Sequence, residues 1–265
     1  MPSYVVTGAT RGLGLAFVKQ LSADSQNTVF AIVRNKSTAT HLTALSRNNI
    51  VVLEADVTDA KALNLAAAEV SESTGGTLDY LINNAGGSTM LGLTATDPTP
   101  EAIEEDLLQN FKWNTISAVH STNAFLPLLK EGTTKKVACI TSGFGGLDVT
   151  LQTGSAAQFS YSVAKAALNM VVAKYAVELK PEGFVFLALS PGMADTSSTA
   201  VSPMSDKMMA QVHEIMSMAL KHFPDFKGPI TPEESARMQL EVIHQWKVED
   251  SGAFVSHFGN NKRWL

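Results

Sequence analysis

The amino-terminal segment places the strongest constraint on the fold of this chain. Ser3–Thr7 is a short β-branched and aromatic run, which is typical of a strand. It passes directly into Gly8–Gly14, which contains three glycines, and then into an apolar-periodic segment that ends near Leu21. Glycines allow a backbone to approach a pyrophosphate closely, and the free N–H groups at a helix amino terminus favour negative charge. The segment therefore predicts a nucleotide site, with a merely tight turn as the alternative.

Further strand runs alternate with helix signals along the whole chain of 265 residues. Val5-Val6, Val51–Leu53 and Phe184–Leu187 are almost continuously apolar, as strands covered on both faces should be. No linker, repeat or low-complexity tract interrupts the alternation. The pattern predicts a single α/β domain, with a doubly wound parallel sheet between two layers of helices.

The second predicted strand, Thr28–Val33, ends at Arg34, about where a dinucleotide fold contacts the adenosine ribose. A carboxylate there would bind the ribose hydroxyls and repel a 2′-phosphate, whereas a guanidinium binds that phosphate through paired hydrogen bonds. Arg34 therefore predicts NADP(H) rather than NAD(H), with Arg11 in the glycine loop facing the same phosphate and Asn35 and Lys36 assisting. The alternative interpretation is a solvated arginine at a strand end.

Tyr161 and Lys165 are four residues apart, so a helix would place the phenol and the ammonium on one face. A tyrosine titrates near pH 10 when unperturbed, and a neighbouring cation favours its phenolate. The pair predicts a proton donor whose pKa Lys165 lowers. An ordinary amphipathic helix surface is the alternative for an isolated pair of this kind.

Four segments occur in the order found in the short-chain dehydrogenase/reductase family, which the chain resembles over nearly its whole length. A strand and turn follow them, and Ser251–Val255 resembles the last strand of the sheet. The resemblance implies a Rossmann-type fold and oxidoreductase chemistry. The segments are Thr7–Gly14, Asp56-Val57, Asn83–Gly86 and Tyr161–Lys165, followed by Phe184–Leu189 and Ser190–Gly192.

The same resemblance implies the catalytic residues. Tyr161 corresponds to the general acid that protonates a substrate carbonyl oxygen, and Lys165 to the lysine that binds the nicotinamide ribose. Ser142, after the strand run Lys136–Thr141, corresponds to the serine that hydrogen-bonds the same oxygen, with Thr141 as a weaker substitute.

Asn114 corresponds to the helix asparagine that anchors a proton-relay water, and Asn110 is the competing choice. The distance of Asn114 from Leu126-Pro127 in the sequence favours Asn114 over Asn110. The long helical segments, Glu101–Leu129 and Phe159–Lys180, resemble those that pair between subunits, which implies a homodimer or homotetramer.

The coenzyme contacts follow from the resemblance in the same way. Asp56 and Val57 would hold the adenine, Asn84–Gly86 would line the adenosine side, and Thr196 would contact the carboxamide or diphosphate. The full set comprises Gly8, Thr10, Arg11, Gly12, Leu13, Gly14, Arg34, Asp56, Val57, Asn84, Ala85, Gly86, Tyr161, Lys165, Pro191, Gly192, Met193 and Thr196.

Two segments depart from compact members of the family. The excursion that includes Asp148–Gln158 is expected to be a loop beside the substrate, with an irregular stretch at Gly154–Ala156. Together with Arg34 and Arg11, it resembles the carbonyl-reductase-like branch that includes sniffer and C-factor proteins. Residues 197–228 are expected to form a substrate loop or lid. Met204, Met208, Met209, Met216 and Met218 fit a lid over an apolar substrate and fit a helix-packing surface equally well. Ser142, Phe144, Tyr161 and Met193 are the expected substrate contacts.

Composition excludes several other classes of protein. The net charge of −5 gives no general attraction to nucleic acid. The single cysteine, Cys139, excludes an internal disulfide, and the scattered histidines predict no metal site; His120 and His257 are interpreted as structural.

No apolar run approaches the roughly 20 residues that span a bilayer. The first strand begins at Ser3, which leaves no room for a leader, so a cytoplasmic enzyme is expected.

These features lead to one hypothesis and two alternatives. The hypothesis is an NADPH-dependent oxidoreductase that reversibly reduces an apolar ketone or aldehyde to an alcohol. One alternative is a tailoring enzyme that isomerises, cyclises or epimerises its substrate. The other is an NADP(H)-binding regulatory protein on the same scaffold, because fold alone does not decide function.

Overall fold

The computed structural model describes residues 1–89, 99–200 and 205–265. Its strands form one sheet of seven members in the order β3-β2-β1-β4-β5-β6-β7, and every pairing is parallel. The predicted doubly wound parallel sheet is confirmed. The strands are β1 Ser3–Thr7, β2 Thr28–Val33, β3 Ile50–Glu54, β4 Tyr80–Asn83, β5 Lys136–Ile140, β6 Val185–Ser190 and β7 Phe254–Ser256.

Helices cover both faces of this sheet. Those described are α1 Gly12–Leu21, α2 Thr40–Thr43, α3 Ala60–Thr74, α4 Pro100–Phe111, α5 Ser117–Glu131, α6 Leu147–Thr153, α7 Phe159–Leu179, α8 Asp206–His222 and α9 Pro232–Gln245. A five-residue π-helix, Lys112–Ile116, joins α4 to α5.

Alternation along the strands produces the layered core, because successive side chains point to opposite faces of a sheet. Val5 and Phe30 pack with α3, α5 and α7 on one face. Tyr4 and Val29, their neighbours in sequence, pack with α1 and α9 on the other face. Each fully buried side chain of this size contributes about 1.5–3 kcal/mol. This is why these apolar runs specify strands covered on both faces.

Several boundaries differ from the sequence interpretation. Strand β7 begins three residues later than expected, because Ser251 and Gly252 form the turn that leads into it. The helix expected to run unbroken from Glu101 to Leu129 contains the π-helix. The excursion Asp148–Gln158 was expected to be a loop, and this is wrong for its first part, which belongs to α6. The irregular stretch expected at Gly154–Ala156 lies outside any helix or strand.

Candidate active site

The carboxyl ends of the parallel strands bring the motif residues to one edge of the sheet. The strand order reverses between β1 and β4, which is the point where ligands bind in open α/β sheets. Gly8 follows β1 and Asn84 follows β4 at this point. Arg34 follows β2, Ser142 lies just beyond β5, and Pro191 follows β6 on the same edge.

The glycine loop is a close-packed cradle of backbone. Gly8 has a φ of 67°, and a Cβ there would lie 2.8 Å from Cα of Ala85. A Cβ on Gly14 would overlap the carbonyl oxygen of Gly8. The amide of Asn84 donates to the carbonyl oxygens of Thr7 and Gly8 at 3.0 and 3.2 Å. The residues present therefore fit a dinucleotide, because a glycine-containing turn opens onto the amino terminus of α1.

The segment after β6 lies against this loop. The backbone N–H of Gly12 donates to Thr199 Oγ1 at 2.9 Å, and a Cβ on Gly12 would lie 3.1 Å from the methyl group of Thr196. Thr196 is therefore adjacent to the glycine loop, and its contact with the carboxamide or diphosphate stays a prediction. Thr199 was missed by sequence reasoning, because nothing in its local sequence distinguishes it from neighbouring hydroxyl residues.

Two exposed arginines, Arg11 and Arg34, lie near the predicted adenosine end of the coenzyme site. Arg11 caps the amino terminus of α1 without a side-chain hydrogen bond, and Arg34 directly follows β2. Burial opposes ionisation of Asp56, but hydrogen bonds from Thr58 and the charge of Arg34 outweigh it and lower the pKa of Asp56. Arg34 and Asp56 are thus electrostatic neighbours. The backbone N–H of Lys36 donates to Glu54 Oε2 at 2.8 Å, and the assistance of the Lys36 side chain at a phosphate stays a prediction.

Tyr161 and Lys165 lie on the same side of α7. The ammonium of Lys165 is 5.6 Å from the centroid of the Tyr161 ring and donates to the carbonyl oxygen of Ile140 at 2.8 Å. Lys165 is buried, with 4% of its surface exposed, whereas Tyr161 is partly exposed. The four-residue spacing therefore places the phenol and the ammonium in one site.

The predicted effect of Lys165 on Tyr161 is wrong for this structure. Burial raises the pKa of Tyr161, and a hydrogen bond from Ser142 offsets part of that increase. Burial also lowers the pKa of Lys165 to about 8. Helical spacing predicted the contact between the two residues, but it did not predict that burial would raise the pKa of the phenol.

Ser142 and Thr141 have different roles at the end of β5. Thr141 is 1% exposed and donates to Asn169 Oδ1 at 2.7 Å, so its hydroxyl is engaged inside the fold. Ser142 begins the 3₁₀ turn that follows, where its Oγ accepts from the Phe144 N–H at 3.2 Å and interacts with Tyr161. The preference for Ser142 over Thr141 therefore agrees with the geometry.

Asn114 lies in the π-helix and is 1% exposed. Its Nδ2 donates to the Gly87 carbonyl oxygen at 2.7 Å, and its Oδ1 accepts from the Gly87 N–H at 3.3 Å. A Cβ on Gly86 would lie 2.6 Å from Asn114 Oδ1 and 3.5 Å from Lys165 Nζ. The Asn83–Gly86 motif, Asn114 and Lys165 therefore meet at one point, and a π-helix at such a position is frequent at functional sites.

Buried polar side chains pack against the Pro191–Met193 turn and hold it in place. Ser235 Oγ donates to the Pro191 carbonyl oxygen at 2.7 Å. Gly192 has a φ of 73°, and a Cβ there would lie 2.5 Å from the ring of His257. Burial, followed by the charge of Arg263, lowers the pKa of His257 to about 4, so this ring is neutral and its interpretation as a structural residue is retained.

A small apolar cluster lies next to the Pro191–Met193 turn. It joins α6, α8 and the carboxyl-terminal Trp264, whose ring lies 4.6 Å from that of Phe254. Met193, Met216 and Met218 pack against it, whereas Met209 is 49% exposed. Met204 and the side chain of Met208 lie outside the described residues. Trp264 was missed by sequence reasoning, because its contacts with α6 and α8 arise only in the folded chain.

The described part of the chain contains neither a metal-binding cluster nor a membrane-spanning helix. Within residues 1–89, 99–200 and 205–265, no three His, Cys, Asp or Glu side chains are placed to hold a metal ion. Among those same residues, no helix is both long and apolar enough to cross a bilayer.

Comparisons with known proteins agree with this arrangement. The sequence profile of the short chain dehydrogenase family matches residues 3–206. The chain is 43% identical over 275 residues to the short-chain dehydrogenase/reductase atnB of Arthrinium sp, covering 100% of both proteins. It is 38% identical over 274 residues to the short chain dehydrogenase virK of Hypocrea virens, again covering 100% of both.

Solved structures give the same result. The NADPH-bound carbonyl reductase from chicken fatty liver is 29% identical, with a TM-score of 0.79 over 100% of this chain and 99% of that chain. The carbonyl reductase Sniffer of D. melanogaster, 24% identical, shares the fold with a TM-score of 0.80 over 100% of both chains. The chain therefore belongs to the short-chain dehydrogenase/reductase family and is an oxidoreductase of that family.

Proposed function

We propose that this protein is an NADP(H)-dependent reductase that converts a ketone or aldehyde to an alcohol, reversibly. The observation that carries the proposal is the convergence of Tyr161, Ser142 and Lys165 at the sheet edge next to the glycine cradle. A partly exposed phenol with a hydroxyl neighbour is suited to protonate an oxygen, and a buried ammonium is suited to hold a ribose and to return the proton.

The coenzyme supplies the hydride, and the chain supplies binding, orientation and the proton. Gly8, Gly12 and Gly14 would bind the pyrophosphate through backbone groups. Tyr161 Oη would donate its proton to the substrate oxygen while Ser142 hydrogen-bonds that oxygen. Because burial raises the pKa of Tyr161, the phenol stays protonated at neutral pH and is ready to act as an acid.

Arg34 and Arg11 support the choice of NADP(H). We expect Arg34→Asp to weaken NADPH binding by about 10–100-fold and to improve NADH binding, because charge-assisted hydrogen bonds to a phosphate contribute about 1.5–3 kcal/mol. Fluorescence titration with both coenzymes measures this change.

The structure offers a matched control in Arg47→Asp, an arginine whose Nη1 donates to Ser22 Oγ at 2.8 Å, away from the glycine loop. That variant should keep the NADPH preference. If single variants at Arg34 and Arg11 both leave the preference unchanged, the assignment of NADP(H) is wrong.

The substrate is proposed to be apolar. Phe144 lies in the turn that Ser142 begins, and Met193 packs against the apolar cluster formed by α6, α8 and Trp264. Residues 197–228 are proposed to act as the substrate loop, with α8 as its main helix. Since Met216 and Met218 pack into that cluster, they belong to the packing face of α8.

A homodimer or homotetramer is part of the same proposal. Val163, Met170 and Val177 recur every seven residues on α7 and are 44%, 60% and 77% exposed. Leu108 and Phe111 on α4, which packs beside α7, are also exposed. Apolar stripes of this kind are suited to helix pairing between two copies.

A panel of carbonyl compounds tests the proposed function. Acetophenone, cyclohexanone and benzaldehyde are incubated with NADPH, and loss of the reduced coenzyme is followed together with the mass of the product. The expected result is an alcohol formed in equal amount to the NADPH consumed. Product formed without coenzyme consumption would instead support isomerisation, cyclisation or epimerisation.

A further inference from the structure

A chain of two buried hydrogen bonds connects α9 to the turn that follows β6. Gln239 Nε2 donates to Ser235 Oγ at 2.9 Å, and Ser235 Oγ donates to the Pro191 carbonyl oxygen at 2.7 Å. Ser235 and Gln239 are both 0% exposed and lie one helical turn apart. A serine hydroxyl has a single proton, which Pro191 receives here, so the oxygen of Ser235 is left to accept from Gln239. The direction of both hydrogen bonds is therefore fixed.

The side-chain oxygen of Gln239 makes this arrangement costly for stability. Among the residues that the structure describes, Gln239 Oε1 is shielded from solvent and accepts no hydrogen bond. A buried acceptor without a donor destabilises the fold, and an apolar side chain of similar length would avoid that cost. Its neighbours on α9, Ala236, Leu240 and Ile243, are buried in the apolar core. Packing alone therefore disfavours a glutamine here, and the hydrogen bond to Ser235 is what the residue adds.

The Pro191–Gly192 peptide group needs such a hydrogen bond to have one fixed direction. Gly192 has a φ of 73°, and a glycine can adopt φ values of either sign, so this peptide group can rotate at little steric cost. Ser235 selects one direction for the Pro191 carbonyl. At the other end of the turn, the Met193 carbonyl oxygen accepts from the Ile230 N–H at 2.9 Å. The two ends of the turn are thus held independently of each other.

This turn lies beside the place of the proposed chemistry. Strands β5 and β6 are neighbours, and the Thr141 N–H donates to the Leu189 carbonyl oxygen at 2.9 Å. Ser142 and Pro191 follow these two strands at the same edge of the sheet. In the proposed function the substrate carbonyl lies against Ser142. The nicotinamide ring that gives the hydride must then lie within reach of that carbonyl, next to the turn.

We propose that Ser235 and Gln239 are positioning residues, which orient the nicotinamide for hydride transfer through the Pro191–Gly192 peptide group. This inference rests on the proposed function. In that reaction a C–H bond of the reduced nicotinamide breaks, and its hydrogen moves with both electrons to the carbonyl carbon, while the proton of Tyr161 goes to the oxygen. The products are the alcohol and NADP⁺. The rate of such a transfer depends steeply on geometry, because a misplacement of about 1 Å can cost about 10²-fold.

A purely structural role for the two residues would have different consequences, because it would act through the whole of α9. This helix also packs against α1, where Lys19 pairs with Glu233 at 3.2 Å. Helix α1 directly follows the glycine loop. A loosened α9 would therefore reduce stability and also disturb the end of the site that is proposed to bind the pyrophosphate. The positioning role predicts an effect at the nicotinamide end alone.

Single-turnover and binding measurements on Ser235→Ala separate these two roles. NADPH-loaded protein is mixed with the fastest carbonyl compound of the panel, and loss of coenzyme absorbance gives the rate of hydride transfer, which should fall about tenfold. Calorimetry should show NADPH binding weakened by about 2–10-fold, the usual effect of one lost hydrogen bond. Binding of 2′-phospho-ADP-ribose, which lacks the nicotinamide, should change by less than about twofold. Ser235→Thr, which restores a hydroxyl, should recover most of the rate.

Gln239→Met tests whether rate and stability move in opposite directions. The variant keeps the length of the side chain and removes both the donor to Ser235 and the buried oxygen without a partner. Its urea midpoint should equal or exceed that of the unmodified protein, whereas hydride transfer should slow about threefold. Ala236→Gly is the matched control, at a buried residue next to Ser235. It should lower stability, because glycine weakens a helix, and leave the rate of hydride transfer within about twofold.

Two results would overturn the inference and leave the proposed function intact. One is an unchanged rate of hydride transfer in both Ser235→Ala and Gln239→Met. The other is a loss of rate in Ser235→Ala that Ala236→Gly reproduces, with equal weakening of NADPH and 2′-phospho-ADP-ribose binding, which would show a general effect of α9. No NADPH oxidation by the unmodified protein with any compound of the panel would overturn the inference and the proposed function together.

Discussion

Replacing Tyr161 with Phe is expected to lower the turnover number by about 10²–10⁴-fold, because that is what proton delivery by a positioned side chain typically contributes. The variant keeps the ring and removes only the hydroxyl, which is the group that Ser142 contacts. Coenzyme affinity should change little, since the glycine cradle and Lys165 remain in place. Steady-state kinetics and a coenzyme titration measure the two quantities separately.

Helix α7 provides a matched control for this experiment. Tyr175 lies further along the same helix, where its hydroxyl donates to Asn123 Oδ1 at 2.7 Å, away from the glycine loop. Tyr175→Phe removes an equivalent hydroxyl and should leave turnover close to that of the unmodified protein. Equal losses of activity in the two variants would indicate damage to the helix rather than loss of an acid.

Replacing Lys165 with Met is expected to reduce both turnover and coenzyme affinity, and also to change how stability depends on pH. Burial lowers the pKa of Lys165 from the usual 10.5 to about 8 in the folded chain. Between these pH values the unfolded chain binds more protons at this residue than the folded chain does. Stability therefore rises with pH across that window, and the burial cost is fully present below about pH 8.

The size of this effect follows from the pKa difference. At about 1.4 kcal/mol per pKa unit, the difference between the usual pKa of 10.5 and the folded pKa of about 8 corresponds to about 3 kcal/mol of unfolding free energy. Urea denaturation of the unmodified protein and of Lys165→Met, at several pH values from 8 to 10.5, measures the difference in slope. Lys174→Met, at an exposed lysine on the same helix, is the control and should keep the slope of the unmodified protein. Parallel pH curves for Lys165→Met and the unmodified protein would contradict the lowered pKa.

The sheet was largely predictable from the sequence, because its strands are covered on both faces. Continuous apolar runs such as Val185–Leu189 identify strands that alternation alone would miss, and the glycines after β1 mark the turn into α1. The carboxyl edge of the sheet then brings together motifs far apart in sequence. The placement of Gly8, Asn84 and Ser142 on one edge follows from the parallel topology.

Features that depend on burial or on distant contacts were not predictable. The spacing of Tyr161 and Lys165 gives their common side of the helix, but the pKa of each depends on how the surrounding chain excludes water. The π-helix around Asn114 is fixed by contacts with Gly87, which are long-range. Helix α6 is short and flanked by glycines, so local sequence favoured a loop there.

The contacts of Thr199, His257 and Trp264 with the site also arise only in the folded chain. Thr199 reaches Gly12 from 187 residues away, and His257 packs on Gly192 from the neighbouring strand. Trp264 meets Gly143 and Phe254. Their local sequences carry no periodicity or motif that indicates a site. Sequence reasoning therefore did not identify Thr199 or Trp264, and it interpreted His257 as structural only.

In the proposed reaction, hydride reaches a carbonyl carbon while Tyr161 protonates its oxygen. Mass spectrometry of the product tests this with NADPH deuterated at the transferred position and the fastest carbonyl compound of the panel. We expect an alcohol with one deuterium on the carbinol carbon, formed at least about 10²-fold more slowly by Tyr161→Phe. Unlabelled product, or labelled product formed equally fast by both proteins, would contradict it.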